Sequence, residues 1–195
     1  MTQPKGVLAA AAEVERFCRG RKWKFCFIGG VAVQRWGEPR FTQDVDFTVL
    51  TELGTEEIFI DELLKQYTPR VPNPREFALE TRVVLARTKR GVNLDVSLGA
   101  FPYEEACVRR ARVWKVKPRM SLTTCSAEDL VITKILASRD RDWADVESVL
   151  LRQGGGFDLK MVRKELPGLI GMTEHHDALD KFERLVKTVN RRQRK

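Results

Sequence analysis

The sequence is short of the residues that build staples and metal knuckles: four cysteines and two histidines in 195 residues. Cys18, Cys26, Cys107 and Cys125 are widely spread and form no C-x-x-C pair, which suggests neither a zinc knuckle nor a disulfide framework. His175 and His176 stand side by side in a stretch read as helical, with no matching ligand cluster, so they read as ordinary surface. No apolar run approaches the roughly 20 residues that span a bilayer. The early alanine run is soon broken by Glu13, Glu15 and Arg16, too soon for a secretory signal. Internal repeats, low-complexity tracts and long linkers are missing as well. These absences point to a reducing cytoplasm and no membrane partner.

What is present suffices for a globular fold. With 43% hydrophobic and 32% charged residues over 195 positions, the chain can bury one core and carry a helical appendage. Its formal net charge of +8 is unevenly placed. Arg191, Arg192, Arg194 and Lys195 crowd the C-terminus, and Arg109, Arg110, Arg112, Lys115, Lys117 and Arg119 form a second cluster. Such runs either attract polyanions (RNA, DNA, a nucleoside triphosphate) or make a solvated face and a frayed tail.

Hydropathy patterning predicts helix over 7–19, a strand over 24–28, helix over 31–36 and a second strand over 44–50. A helix follows over 55–66, with Ile58, Leu63 and Leu64 as apolar positions. Pro69, Pro72 and Pro74 predict an irregular loop. Alternations over 80–87 and 92–98 flank Thr88-Lys89-Arg90-Gly91 as a hairpin. A short helix over 102–110 and a strand over 112–117 come next. From Ser126 the period turns helical, with helices over 126–138, 141–152 and 174–190 and an interruption at Gly154-Gly155-Gly156. The order predicts an α/β (α+β) fold: a small mixed β-sheet core over 1–125 and a C-terminal helical region over 126–195 packed on it.

Residues 28–47 carry most of the chemistry. Gly29-Gly30 opens a short helix, where glycine lets backbone N–H groups approach phosphate at a positive helix end. In the strand that follows, Val45, Phe47 and Val49 share the core side, leaving Asp44, Asp46 and Thr48 on the other. In the later strand Leu94, Val96 and Leu98 take the core side, and Asp95 shares the polar side with Asn93 and Ser97. If these strands are neighbours, three carboxylates converge. Clustered carboxylates raise one another's pKa unless cations neutralise them. Magnesium (or manganese) suits an all-oxygen donor set and keeps phosphate oxygens in its shell. An Asp-x-Asp alone is also compatible with a polar strand face open to water; the upstream glycine pair and the in-phase Asp95 favour a site. Phosphate cradle plus metal clamp is the equipment of phosphoryl transfer.

Other candidates leave two readings each. Lys134 is the only charged residue between Leu130 and Ser138 and lies on a mostly apolar helical face; it either snorkels to the surface or is held toward an anion. Asp142 or Asp145, near the next helix start, positions Lys134 or the acceptor. Arg40 takes phosphate bidentately or pairs with a surface acid such as Glu38. Thr42 orients a loop or touches substrate. Trp23, Trp36, Trp114 and Trp143 have no spacing of a base-stacking platform and read as packing residues.

These residues match the motif of the DNA polymerase β-like nucleotidyltransferase superfamily, in which Gly-Gly or Gly-Ser precedes an Asp-x-Asp/Glu and a third carboxylate sits on a later strand. The string Gly29-Gly30-x-Ala32-x-x-x-Trp36-Gly37-x-x-Arg40-x-Thr42-x-Asp44-x-Asp46 resembles more narrowly the AbiEii-type and related small nucleotidyltransferases, some of which are toxins paired with an antitoxin. Glu128 to Ala137, followed by Arg141-Asp142-Trp143-Ala144-Asp145-Val146, resembles that family's lysine-bearing helix and Arg-Asp-x-x-Asp segment. The tail beyond 155 carries no recognised motif. The resemblance implies a mixed sheet of roughly two to five strands, magnesium (or manganese), and transfer of a nucleoside monophosphate from an NTP to a hydroxyl. It assigns metal to Asp44, Asp46 and Asp95, with Asp95 also helping to deprotonate the acceptor. Gly29, Gly30, Arg40, Thr42, Lys134 and Asp142 fall on the nucleotide side. In toxin members the acceptor is tRNA; in antibiotic-resistance relatives it is a drug. A cognate antitoxin is then an expected partner, and the rival reading is a catalytically silent module that binds nucleic acid or a partner on the same fold.

Overall fold

The computed structural model describes residues 6–193. They divide into two compact units: the chain up to Val31 with Arg40–Cys125, and Ala32–Pro39 with the chain from Ser126 onward. No described helix is long and apolar enough to cross a membrane.

The first unit is built on strands β1 (Phe25–Phe27), β2 (Asp44–Leu50), β3 (Thr68–Pro69), β4 (Val83–Arg87), β5 (Asn93–Gly99), β6 (Arg112–Lys117) and β7 (Met120–Thr124). Among the described residues these seven form one mixed sheet in the order β3-β4-β5-β2-β1-β7-β6. β2 and β5 run parallel at its centre, and β1 and β4 flank them antiparallel. The β6–β7 hairpin joins the rest through a single register pair, Phe27 with Thr124. Helices α1 (Val7–Gly20), α3 (Glu56–Gln66), α4 (Pro74–Thr81) and α5 (Pro102–Arg110) belong to this unit. Alternation drives the packing. Val45, Phe47 and Val49 of β2 and Leu94, Val96 and Leu98 of β5 are buried in one cluster with Ala10, Ala11 and Val14 of α1 and Ile60 and Leu63 of α3. Each large side chain buried there contributes about 1.5–3 kcal/mol. α5 packs on the opposite face, where the Cys26 and Cys107 sulfurs lie 3.9 Å apart.

The second unit gathers α6 (Ala127–Ala137), α7 (Asp140–Gln153), α8 (Leu159–Ile170) and α9 (Ala178–Gln193) around Leu130, Ile135, Val146, Val162, Leu166 and Phe182, all buried. Ser126 caps α6: its Oγ accepts from the Asp129 N–H at 3.1 Å, satisfying one of the helix's orphan donors. Helix α2 (Gly29–Trp36) starts in the first unit and ends in the second. There the Gln153 side chain donates to the Trp36 carbonyl at 2.8 Å, and the Glu38 N–H donates to Ser148 Oγ at 3.2 Å.

Several expectations need correction. The proline-rich stretch holds β3 and α4, with Pro74 at the first helical position, where a missing N–H costs nothing. The strand expected from residue 80 begins at Val83, after Arg82 turns left-handed at φ 57°. β7 and α8 have no counterpart among the expected elements, and the sheet has more strands than the resemblance implies. In α3 the inward residue is Ile60, while Ile58 is 64% exposed. His175 and His176 lie in turns before α9, not in a helix, though they are exposed as expected.

Candidate active site

The carboxylates are placed by strand register. β2 pairs with β5 so that Asp44 is opposite Asn93 and Asp46 opposite Asp95. Since side chains alternate across a sheet, Asp44, Asp46 and Asp95 share one face, directly behind the buried Val45, Phe47, Leu94 and Val96. Asn93 Nδ2 donates to Asp44 Oδ1 at 3.0 Å, fixing that carboxylate.

The glycine pair closes on the same point. Gly29 has φ 54°, and a Cβ there would lie 2.2 Å from Asp46 Oδ2. A Cβ on Gly30 would lie 2.3 Å from Thr42 Oγ1. Both positions therefore need glycine, one for its left-handed backbone and both for room. The Gly30 N–H donates to Asp46 Oδ2 at 3.3 Å, and Thr42 Oγ1 donates to the Asp44 carbonyl at 3.4 Å. So the first turn of α2 is packed against the Asp-x-Asp strand. Arg40, two residues before Thr42, donates to the Phe41 carbonyl at 3.2 Å.

Asp95 has a partner that the sequence does not suggest. A guanidinium nitrogen of Arg70 is hydrogen-bonded and ion-paired with Asp95 Oδ1. Burial pushes the Asp95 pKa up, the Arg70 charge opposes that, and the nearby Asp44 charge adds to the rise. Arg70 follows β3 inside the stretch expected to be irregular loop. Only the pairing of β3 with β4 brings it here, and local sequence carries no signal of such a long-range pairing.

The other expected residues belong to the second unit. Lys134 is buried and does not snorkel: its ammonium meets Asp142 at 2.7 Å and Asp145 at 2.9 Å. Arg139 holds the second Asp142 oxygen at 2.7 Å. Burial alone would raise the Asp142 pKa, but hydrogen bonds and charge from Lys134 and Arg139 hold it below the usual carboxylate range. Gly29, Gly30, Arg40, Thr42, Asp44, Asp46 and Asp95 belong to the first unit, and Lys134, Asp142 and Asp145 to the second.

The donor set can be tested against a divalent cation. Among the described residues no three His, Cys, Asp or Glu side chains are disposed as a ready cage. Magnesium does not need one: it is usually held by one or two carboxylates and completes its shell with water and phosphate. The all-oxygen pair Asp44 and Asp46, beside a helix start that Gly29 and Gly30 allow to approach closely, fits that mode.

Of the basic clusters, Arg112, Lys115 and Lys117 lie exposed on β6, the edge strand, and Arg119 in the turn after it. Arg192 pairs with Glu147, while Arg194 and Lys195 lie outside the described residues.

The fold is similar to solved structures. An antigenic nucleotidyltransferase-like protein from Paracoccidioides brasiliensis superposes with a TM-score of 0.54 at 12% identity, over 89% of this chain and 91% of that one. The antibiotic-resistance factor ANT(2'')-Ia gives 0.52 at 17% identity, over 87% and 94%. At these identities the likeness is one of fold. A comparison with curated proteins finds no match. The family model described as "Nucleotidyl transferase AbiEii toxin, Type IV TA system" matches residues 19–168, past the point where recognisable motifs end, and the chain therefore belongs to the AbiEii nucleotidyltransferase family.

Proposed function

We propose that this nucleotidyltransferase moves a nucleoside monophosphate from an NTP to a hydroxyl of an RNA acceptor, tRNA foremost, using magnesium or manganese. The observation that carries this reading is the convergence of Gly29, Asp46 and Asp95 through one strand register. Asp44 and Asp46 would hold the cation, and Asp95, the register partner of Asp46, would be the third carboxylate and would take the acceptor's proton. Bound there, the ion neutralises triphosphate charge and eases deprotonation of the attacking hydroxyl. The acceptor oxygen bonds to the α-phosphorus, the bond to the bridging oxygen breaks, and pyrophosphate leaves. Gly29 and Gly30 let α2 start in close contact with Asp46 and Thr42, which sets the positive end of the helix beside the carboxylates where a phosphate would come, with Arg40 and Thr42 on the same approach. Lys134 is held by Asp142 and Asp145 within the second unit. The family's description supports a toxin with an antitoxin encoded alongside. The cytoplasm, where NTP, magnesium and tRNA are at hand, is its place of action.

The test is incubation with each labelled NTP, magnesium and total tRNA. Label should move to RNA with the wild type and fail to move with Asp46→Asn. Transfer that survives Asp46→Asn would overturn the carboxylate assignment. Label reaching only small molecules or protein would overturn the RNA acceptor.

A further inference from the structure

Across three strands, and on to the residue that follows β3, the sheet lines up a row of residues. Asp46 is the register partner of Asp95, and Asp95 of Leu85. The Arg70 N–H donates to the Leu85 carbonyl at 3.0 Å. From there the Arg70 side chain reaches over Leu85 and meets Asp95 Oδ1, with a second, longer bond from the same nitrogen to the Leu94 carbonyl at 3.4 Å. Its buried Nε has no hydrogen-bond partner among the described residues. Along the same row two neutral donors, the Asn93 amide and the Gly30 N–H, serve Asp44 and Asp46.

We infer that Arg70 is a guanidinium latch on Asp95, which a divalent cation must displace before that carboxylate can join the metal. The inference rests on the proposed metal clamp at Asp44 and Asp46. Charge supports it: three carboxylates and one guanidinium leave two net negative charges, the complement of one divalent ion. A further ion is favoured only when the guanidinium leaves. The latch is also cheap to open. The Arg70 and Asp95 side chains are 21% and 40% exposed, so solvent screens their attraction, and the orphan Nε N–H gains a partner when the side chain swings into water. Arg70 is thus a positioning residue, setting when Asp95 is available rather than touching the reacting atoms.

Manganese titration of the full chain, read by the electron paramagnetic resonance of the free ion, tests this without any turnover. Asp46→Asn should weaken binding about tenfold or more, since it removes a charged ligand. Asp95→Asn alone leaves one net negative charge but keeps both clamp ligands, so it should weaken binding by less than Asp46→Asn, which removes a ligand as well as a charge. Arg70→Gln should tighten binding about tenfold or add an ion per chain, and the gain should vanish in Arg70→Gln with Asp95→Asn. Arg70→Lys, which keeps the charge, should stay near wild type. The latch is overturned if Arg70→Gln binds manganese as wild type does, or if its gain survives Asp95→Asn. Should Arg70→Gln fail to fold, the Asp95→Asn arm still decides: a loss as large as that of Asp46→Asn means Asp95 already serves the metal. Wild-type binding by Asp46→Asn would instead overturn the clamp itself, a different outcome.

Discussion

At the residue scale, Lys134 is the cation at the centre of a buried ion-pair cluster. Its ammonium answers two carboxylates that are 1% and 3% exposed, Asp142 and Asp145. Removing one partner of a buried ion pair leaves uncompensated charge, typically about 3–5 kcal/mol. Lys134→Met should therefore lower stability by that order in chemical denaturation. The pH dependence identifies the cause. A carboxylate whose pKa is depressed on folding stabilises the fold fully above its unfolded pKa, about 3.9. That stabilisation is lost as pH falls through the folded value. Asp142 is such a group, so the stability gap between wild type and Lys134→Met should narrow as Asp142 protonates. A gap that stays constant down to the acid limit would mean that packing, not charge, is what the lysine supplies.

At the element scale, the β6–β7 hairpin meets the rest of the sheet through one register pair, whereas β2 and β5 pair along their whole length. Segments with few partners open locally before well-packed ones. Amides of β6, the edge strand that pairs with β7 alone, should exchange with solvent well before those of β2 and β5, and equal protection across the sheet would contradict this. The same contrast marks what is legible in the sequence. β2 and β5 are legible because Val45-Asp46-Phe47 and Leu94-Asp95-Val96 alternate cleanly between core and polar face, and their carboxylates follow from phase alone. α4 is hidden because its prolines look like breakers, although Pro74 is the helix's first residue. α8 is hidden because Pro167 and Gly168 fall inside it, tolerated near its C-terminal end. Arg70 is illegible for a different reason: its role depends on β3 pairing with β4 and on β4 lying beside β5, which no local pattern encodes. The partners of Lys134 are narrowed in sequence to Asp142 or Asp145, and the fold uses both.

At the scale of the whole molecule, a net charge of +8 and the exposed cations of β6 bear on how an RNA would be held. If Lys115 and Lys117 meet phosphates, RNA affinity should fall with salt, and replacing both by Gln should flatten the log–log slope by roughly 0.7 for each phosphate no longer neutralised. A slope unchanged by the double substitution would move RNA binding off this edge. The path of the chain also has a temporal side. The segment Ala32–Pro39 belongs with residues from Ser126 onward, and Glu38 bonds a residue 110 positions later, Ser148. On a ribosome adding about 5–20 residues per second, that segment emerges and then waits several seconds, or much longer, for its partners to be made. A message cut short after the sheet is encoded would leave the last turn of α2 without its partners. Until the late helices are made, the last turn of α2 lacks the partners it has in the finished chain, among them the Gln153 side chain on the Trp36 carbonyl.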